Sequence, residues 1–371
     1  MGVLVLYTKA LFVLLIGIFM NENEIIYSTV DEQIEKLLSQ HLIINNIDFA
    51  KEQLGLYGYF NLIKSYRDPY SIPTPDGLKY RSGITFEQIT SLYILDKNLR
   101  NSVISAMLDL EEHLKAAMAD VISDSFGTNV DDYLNFRNYR DRRRSNGKFS
   151  LNNILLEMRK ATQVNKQPVC HYRTQHGTIP PWILFKNVYF STIVNLAGDF
   201  KAAEKEKLVN HLYNVNSSPF PLENLKRIMI DTLFICLEYR NLAAHGGRTY
   251  NHTCKASLNY EYYPFDQTSG PKGFSQLLYL LSLLNYKNPF KLLKRTLEAE
   301  VNRHCNNYPE DATYLAQILN VDIIPHRLVW LSKNKKIYHQ NPHCSGMSDC
   351  KSAVIEDAVE NGYKPCSKCC N

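Results

Sequence analysis

Residues 221–250, PLENLKRIMIDTLFICLEYRNLAAHGGRTY, decide how the chain is read. Leu225, Ile228, Met229, Thr232, Leu233, Cys236, Leu237 and Leu242 recur at three- and four-residue steps, the mark of a helix with one buried stripe. Gly246 and Gly247 follow the last periodic residue, and glycine ends helices because it reaches the left-handed conformation without a Cβ penalty. Arg240, Asn241 and His245 are therefore expected on the last turn and a half of a long buried helix. Asn241 and His245 are four apart and share a face, and the long side chain of Arg240 can swing round beside them. An imidazole beside a guanidinium provides a proton acceptor for a 2′-hydroxyl and a fixed cation for developing phosphate charge, which is what metal-free RNA cleavage requires. The same pair could simply complement the helix dipole, and its spacing arises readily by chance, so its surroundings decide its weight.

Upstream, the chain reads as helix after helix. Val30, Ile34, Leu37 and Leu38 form one stripe with Ser28 or Thr29 as N-cap. Asp48 to Arg67 reads as a second, aromatic-rich helix, and the proline- and glycine-rich stretch 68–83 as a loop. Thr85, with Gln88 three residues on, caps a helical pattern that runs to Gly127 as two helices or one long one. Asp96, Arg100, Glu111 and Glu112 lie along it and read as a solvated edge. Pro180 and Pro181 open a helix to Leu196 with Trp182 as a core anchor, and two more helices follow, Phe274 to Leu284 and Pro289 to His304. No segment of 21–304 alternates as a strand would, so this body is expected to be all-α.

Between these helices lies NFRNYRDRRRSNGK, residues 135–148, with Arg137, Arg140, Arg142, Arg143, Arg144 and Lys148 against a single Asp141. Tyr133, Phe136 and Tyr139 are interleaved with the cations. Guanidinium groups pair with phosphate and stack on bases, as aromatics do, so the cluster is a candidate RNA-binding surface; a plain solvated basic loop is the competing reading. Cys170, His171 and His176 have metal-ligand chemistry but no second pair at ligand spacing. The formal charge of +5 and pI near 8.5 permit a nucleic-acid partner without demanding one. A 45% hydrophobic composition places the chain among folded rather than disordered proteins.

The two ends differ from the body. Residues 1–20 are almost wholly apolar and read either as a start-site artefact, with Met20 as the native initiator, or as a signal or membrane anchor; the first is favoured because no small-x-small cleavage site follows. Five of the nine cysteines, Cys344, Cys350, Cys366, Cys369 and Cys370, crowd into the last part of the chain, which argues for a metal site in a reducing compartment such as the cytoplasm. Arg327 to Ser332 and Lys336 to Gln340 read as a hairpin, Asp349 to Asn361 as a short helical piece, and Cys366-Ser367-Lys368-Cys369 as a tight knuckle. His339, Cys344, Cys366 and Cys369 would supply four ligands for tetrahedral zinc, with His343, Cys350 and Cys370 as substitutes. A closed four-ligand site is structural. The organisation expected is thus 1–20 apolar segment, 21–304 helical domain, 305–325 linker and 326–371 zinc-binding module of α+β type.

Four blocks, FAKEQLGLYGYF, GITFEQITSLYILDKNLRNSVISAMLDLEEHLKAAM, IPPWILFKNVYFSTI and EYRNLAAHGGRTYN, together resemble the abortive-infection (Abi, AbiD/AbiF-type) phage-resistance family across roughly Ile25 to Leu297. The C-terminal text resembles small zinc modules appended to nucleases and DNA-repair proteins. The resemblance implies a HEPN-type helical bundle whose Arg-x4-6-His motif cleaves RNA without a metal cofactor, and Arg240, Asn241 and His245 match that motif. The tyrosine that some such toxins carry two residues after the histidine is Gly247 here, so modification of that residue is not expected. Only one such motif is present, which implies a homodimer with two helix ends in one cleft. The function expected is a phage-defence endoribonuclease leaving 2′,3′-cyclic phosphate. The alternative is a non-catalytic RNA-binding protein working with a small non-coding RNA or an antitoxin. Membrane association would require residues 1–20 to be translated and retained.

Overall fold

A computed structural model describes residues 27–371 apart from 76, 143–146, 257, 322–327, 334, 342–343, 348–349 and 371. Residues 1–20, Arg143, Arg144 and His343 therefore lie outside the described residues. The chain divides into two compact units, one up to Thr90 and one from Ser91.

In the first unit, helix Val30–Ser39 begins at a capping box in which the Thr29 hydroxyl and the Glu32 carboxylate satisfy each other's backbone N–H. Helix Ile47–Tyr57 stops at Gly58, whose φ of +76° no helix can hold, so the long helix expected to Arg67 becomes a helix and a separate turn, Phe60–Lys64. The expected loop contains a two-stranded antiparallel hairpin, β1 (Ser71–Thr74) and β2 (Gly77–Tyr80), with Pro73 opposite Leu78. The described body is thus helical with one small hairpin. Leu37, Leu54, Leu62, Tyr66, Tyr70 and Phe86 are buried here.

The segment from Phe86 to Phe126 is one continuous helix, ended by Gly127 at φ +83°. Its buried positions Leu92, Leu99, Val103, Leu110, Leu114 and Met118 keep helical spacing throughout. In the second unit, helix Leu222–Ala244 packs against helices Phe190–Asp199, Ala202–Leu212 and Phe274–Leu283, and the last of these packs on Asn288–Asn307. The helix expected from Trp182 to Leu196 is broken at Val188 and Tyr189 into Pro181–Leu184 and Phe190–Asp199, and Trp182 is 48% exposed rather than a core anchor. Helix Ala312–Leu319 follows within the stretch read as a linker. Buried His304 ties three elements together, with Nδ1 2.9 Å from the Ser91 hydroxyl and Nε2 2.8 Å from Asp311.

The C-terminal part is α+β. Strands β3 (Leu328–Leu331), β4 (Ile337–His339), β5 (Lys351–Val354) and β6 (Lys364–Pro365) form a sheet in the order β5-β3-β4-β6, antiparallel except for β4 with β6. The hairpin is as expected. The piece read as wholly helical is instead β5 followed by helix Ile355–Glu360. Val329, Tyr338 and Ala358 make its core, with Leu331, Ile355 and Tyr363 against them. Among the described residues, no helix is long and apolar enough to cross a membrane.

Candidate active site

Helix Leu222–Ala244 turns Leu225, Ile228, Met229, Thr232, Leu233, Cys236 and Tyr239 inward. Thr232 is tolerated there because its hydroxyl donates to the Ile228 carbonyl at 2.8 Å and accepts from Tyr213 at 3.2 Å. The helix closes at His245, whose N–H bonds the Asn241 carbonyl at 3.1 Å, and Gly247 N–H then bonds the Leu242 carbonyl at 2.9 Å. The two glycines serve different needs. Gly246 sits at φ +72°, where a side chain is strained, whereas a Cβ on Gly247 would fall 2.3 Å from Leu242 Cδ1 and 3.1 Å from the Leu242 carbonyl oxygen.

Asn241 and His245 line one open cavity of about 590 Å³, together with Glu238, His252, Lys255 and Phe149. His245 is exposed and Asn241 half-buried. Arg240 is not part of this lining; its Nη1 lies 3.4 Å from Asn241 Oδ1, a long contact that keeps the two side chains adjacent. The three motif residues are thus neighbours, but only two of them face the cavity.

Two groups that hold this region together were not apparent in the sequence. Asp96, read as part of a solvated edge, is fully buried, and its Oδ1 accepts from Thr249 N–H (2.8 Å), the Thr249 hydroxyl (2.6 Å) and Tyr250 N–H (2.8 Å). Arg100, one turn on, lies 3.6 Å from Asp96 and donates to the Gly246 carbonyl at 3.3 Å. Together they fix the loop that leaves the helix end. The i,i+4 acidic–basic pair was the available signal, but only the tertiary fold shows that it points inward.

The second group is Glu238 with His252. His252 Nε2 is 2.8 Å from Glu238 Oε1, and Glu238 also accepts from the backbone N–H of Lys255 (2.8 Å) and Ala256 (3.0 Å). Burial raises the Glu238 carboxyl, but these donors outweigh it and hold the group below its ordinary range. A carboxylate on one ring nitrogen fixes the orientation of an imidazole, and the Tyr239 ring packs edge-on against it with centroids 5.3 Å apart. Cys254 lies close enough to this pair for the three to hold a metal ion. Burial, then the Glu238 charge, pushes the Cys254 thiol up to about 12.

In the basic segment, Arg137, Arg140 and Lys148 are exposed, while Arg142 is half-buried and bonded to Asp199 at 2.9 Å. The interleaved tyrosines do not offer stacking faces. Tyr133 and Tyr139 are buried, donating to the Ile179 and Tyr133 carbonyls at 2.7 Å each, and only Phe136 is exposed.

His339, Cys344, Cys366 and Cys369 come together as one group able to hold a metal ion. Tetrahedral zinc with its usual bond lengths needs sulfur atoms about 3.8 Å apart and sulfur about 3.6 Å from nitrogen. Cys344 Sγ and Cys366 Sγ are 3.9 Å apart, and Cys369 Sγ is 3.6 Å from His339 Nδ1, so the donors fit. Burial opposes ionisation of Cys369, but the N–H groups of Asn341 and Gln340 and the neighbouring Cys344 and His339 bring its thiol down to about 6. Cys370 instead donates to the Tyr338 carbonyl at 3.4 Å, and Cys350, like Cys370, is outside the group. Cys170, His171 and His176 are not brought together as a metal site.

A model of Abi-like proteins matches residues 52–251, more than half of the 371 and including Arg240, Asn241 and His245. No curated protein and no solved structure matches the chain. On that match the chain belongs to the Abi-like protein family.

Proposed function

We propose that this protein is an endoribonuclease effector of abortive infection, a phage-defence role that its family supports. The observation that carries the reading is one cavity at a helix end lined by Asn241, His245, a carboxylate-held His252 and Lys255. In the proposed reaction the 2′-hydroxyl oxygen bonds to phosphorus as the bond to the 5′-oxygen breaks. His245 takes the proton from the 2′-hydroxyl, and a second imidazole returns one to the leaving oxygen. His252, which lines the same cavity against the Glu238 carboxylate, is assigned that second role in this reading. Arg240 and Lys255 offset the charge that builds on the phosphorane, and Asn241 orients the scissile group. The products are a 2′,3′-cyclic phosphate and a 5′-hydroxyl. The enzyme works as a homodimer in which two helix ends share one cleft. Four-ligand zinc in the C-terminal part is structural, since a closed tetrahedral set leaves no open position.

The test is expression of wild type, His245→Ala and Arg240→Ala with sequencing of RNA ends. Loss of host arrest and of new 5′-hydroxyl ends in both folded variants is expected, a drop of about 100-fold or more. Arrest that persists in both variants sinks the reading.

A second reading, RNA binding without cleavage and with a small non-coding RNA or an antitoxin as partner, is favoured by the position of Arg240 outside the cavity lining. Labelled RNA incubated with purified protein in EDTA separates the two: cleavage there excludes the binding-only role.

A further inference from the structure

The opposite half of helix Leu222–Ala244 borders a second cavity, of about 240 Å³. Six cations line it: Arg140, Arg142, Lys201, Lys205, Lys226 and Arg227. Two carboxylates face it as well, and both are engaged. Glu223 pairs with Lys226 at 2.7 Å, and Asp231 accepts from Asn259 N–H at 3.0 Å and the Tyr263 hydroxyl at 3.1 Å. Lys226 also pairs with Glu206, and Arg142 Nε with Asp199. Among the described residues, Arg140, Lys205 and Arg227 have no carboxylate within ion-pair distance.

The site is built rather than merely charged. Arg142 Nη2 is buried without an acceptor, and it lies where a Cβ on residue 198 would be, 1.7 Å from that position, so Gly198 leaves room for the guanidinium. Burial, with the cations of Arg142, Arg227 and Arg140, pushes Lys205 down to about 8 although Asp199 pulls the other way. Positive charge thus accumulates there beyond what the protein itself neutralises.

We propose that Arg140, Arg142, Lys205 and Arg227 form a pocket for a phosphate group, supplied by the backbone of an RNA strand or by a free nucleotide. Guanidinium forks match phosphate oxygens in pairs, and Arg140, Lys205 and Arg227 line the cavity without a carboxylate partner of their own among the described residues. The cavity is smaller than the ~300 Å³ at which pockets begin to enclose drug-sized ligands, so it takes a phosphate head and not a base. Phe200, the aromatic in its wall, is fully buried and offers no stacking face. From Arg227 to His245 the helix rises ~27 Å, so this pocket is separate from the cavity at the helix end. The basic segment lines this pocket through Arg140 and Arg142, and Phe149, the residue after its end, lines the other.

Binding is measured on full-length His245→Ala protein, so that RNA stays intact and the result does not depend on whether the native chain cleaves. Calorimetry with inorganic pyrophosphate and anisotropy with a fluorescent single-stranded RNA compare Lys205→Gln/Arg227→Gln with a charge-matched control, Lys160→Gln/Lys294→Gln. The control lysines lie on exposed helix faces. With thermal melting unchanged, the pocket variant is expected to lose about tenfold in affinity relative to the control. For RNA, the slope of log affinity against log salt should also shrink by about 1.4, the value for two lost phosphate contacts on a single strand. Loss for RNA alone identifies a strand phosphate, loss for pyrophosphate alone identifies a free phosphate, and either supports the pocket. Equal binding by variant and control, or no binding of either probe to any protein, overturns it.

Discussion

A carboxylate persists in a protein interior only where donors replace the water it has lost. Asp96 meets that condition with the N–H groups of Thr249 and Tyr250, the Thr249 hydroxyl and nearby Arg100. The arrangement makes it the point at which the loop after His245 is tied to helix Phe86–Phe126. Asp96→Ala should leave the buried N–H groups of Thr249 and Tyr250 without their acceptor and remove the carboxylate beside Arg100, at a cost of about 3–5 kcal/mol in chemical denaturation. Asp96→Asn keeps one carbonyl acceptor and should cost less. A loss below ~1 kcal/mol for the alanine variant would mean that other contacts hold the loop.

Among the elements, the cysteine-rich sheet is the clearest case of geometry waiting on a ligand. Its core is small, centred on Val329, Tyr338 and Ala358, and a core of that size needs a staple. Full-length protein purified without chelator should contain about one zinc per chain by elemental analysis. Cys366→Ser should lower that content and open residues 328–370 to protease, while the helical circular dichroism stays. Full metal content in the variant would remove Cys366 from the ligand set. This element was legible in the sequence because ligand spacing is local: His339 ends β4 five residues before Cys344, and a two-residue gap joins Cys366 to Cys369. The helices were legible for the same reason, since Ile228, Cys236 and their neighbours state the period directly. The β1–β2 hairpin was not, because Pro73 interrupts any alternation and strands this short carry almost none. Nor was the burial of Asp96, the exposure of Trp182 or the place of His252 beside Glu238, which depend on contacts across many residues.

For the whole molecule, the question is how many chains make one active unit. Each chain carries one Arg240–His245 motif, and Arg240 does not line the cavity that Asn241 and His245 share. Under the nuclease reading, a second chain with its helix end facing the first would bring a further guanidinium to the same phosphate. Such an interface, if stable, buries more than ~1,000 Å² and survives dilution to low concentration, whereas a weaker one falls apart as the protein is diluted. The expectation is that light scattering finds a dimer and that cleavage per chain falls on dilution in step with its dissociation. Mixing Arg240→Ala with His245→Ala chains then gives a sharper readout. If each cleft draws on both chains, the mixture should regain part of the activity that neither variant has alone, because the mixed dimer contains one intact Arg240 and one intact His245. Cleavage per chain that stays constant far below the dissociation concentration, with no recovery on mixing, would assign the whole reaction to one protomer and leave His252 as its second proton-transfer group.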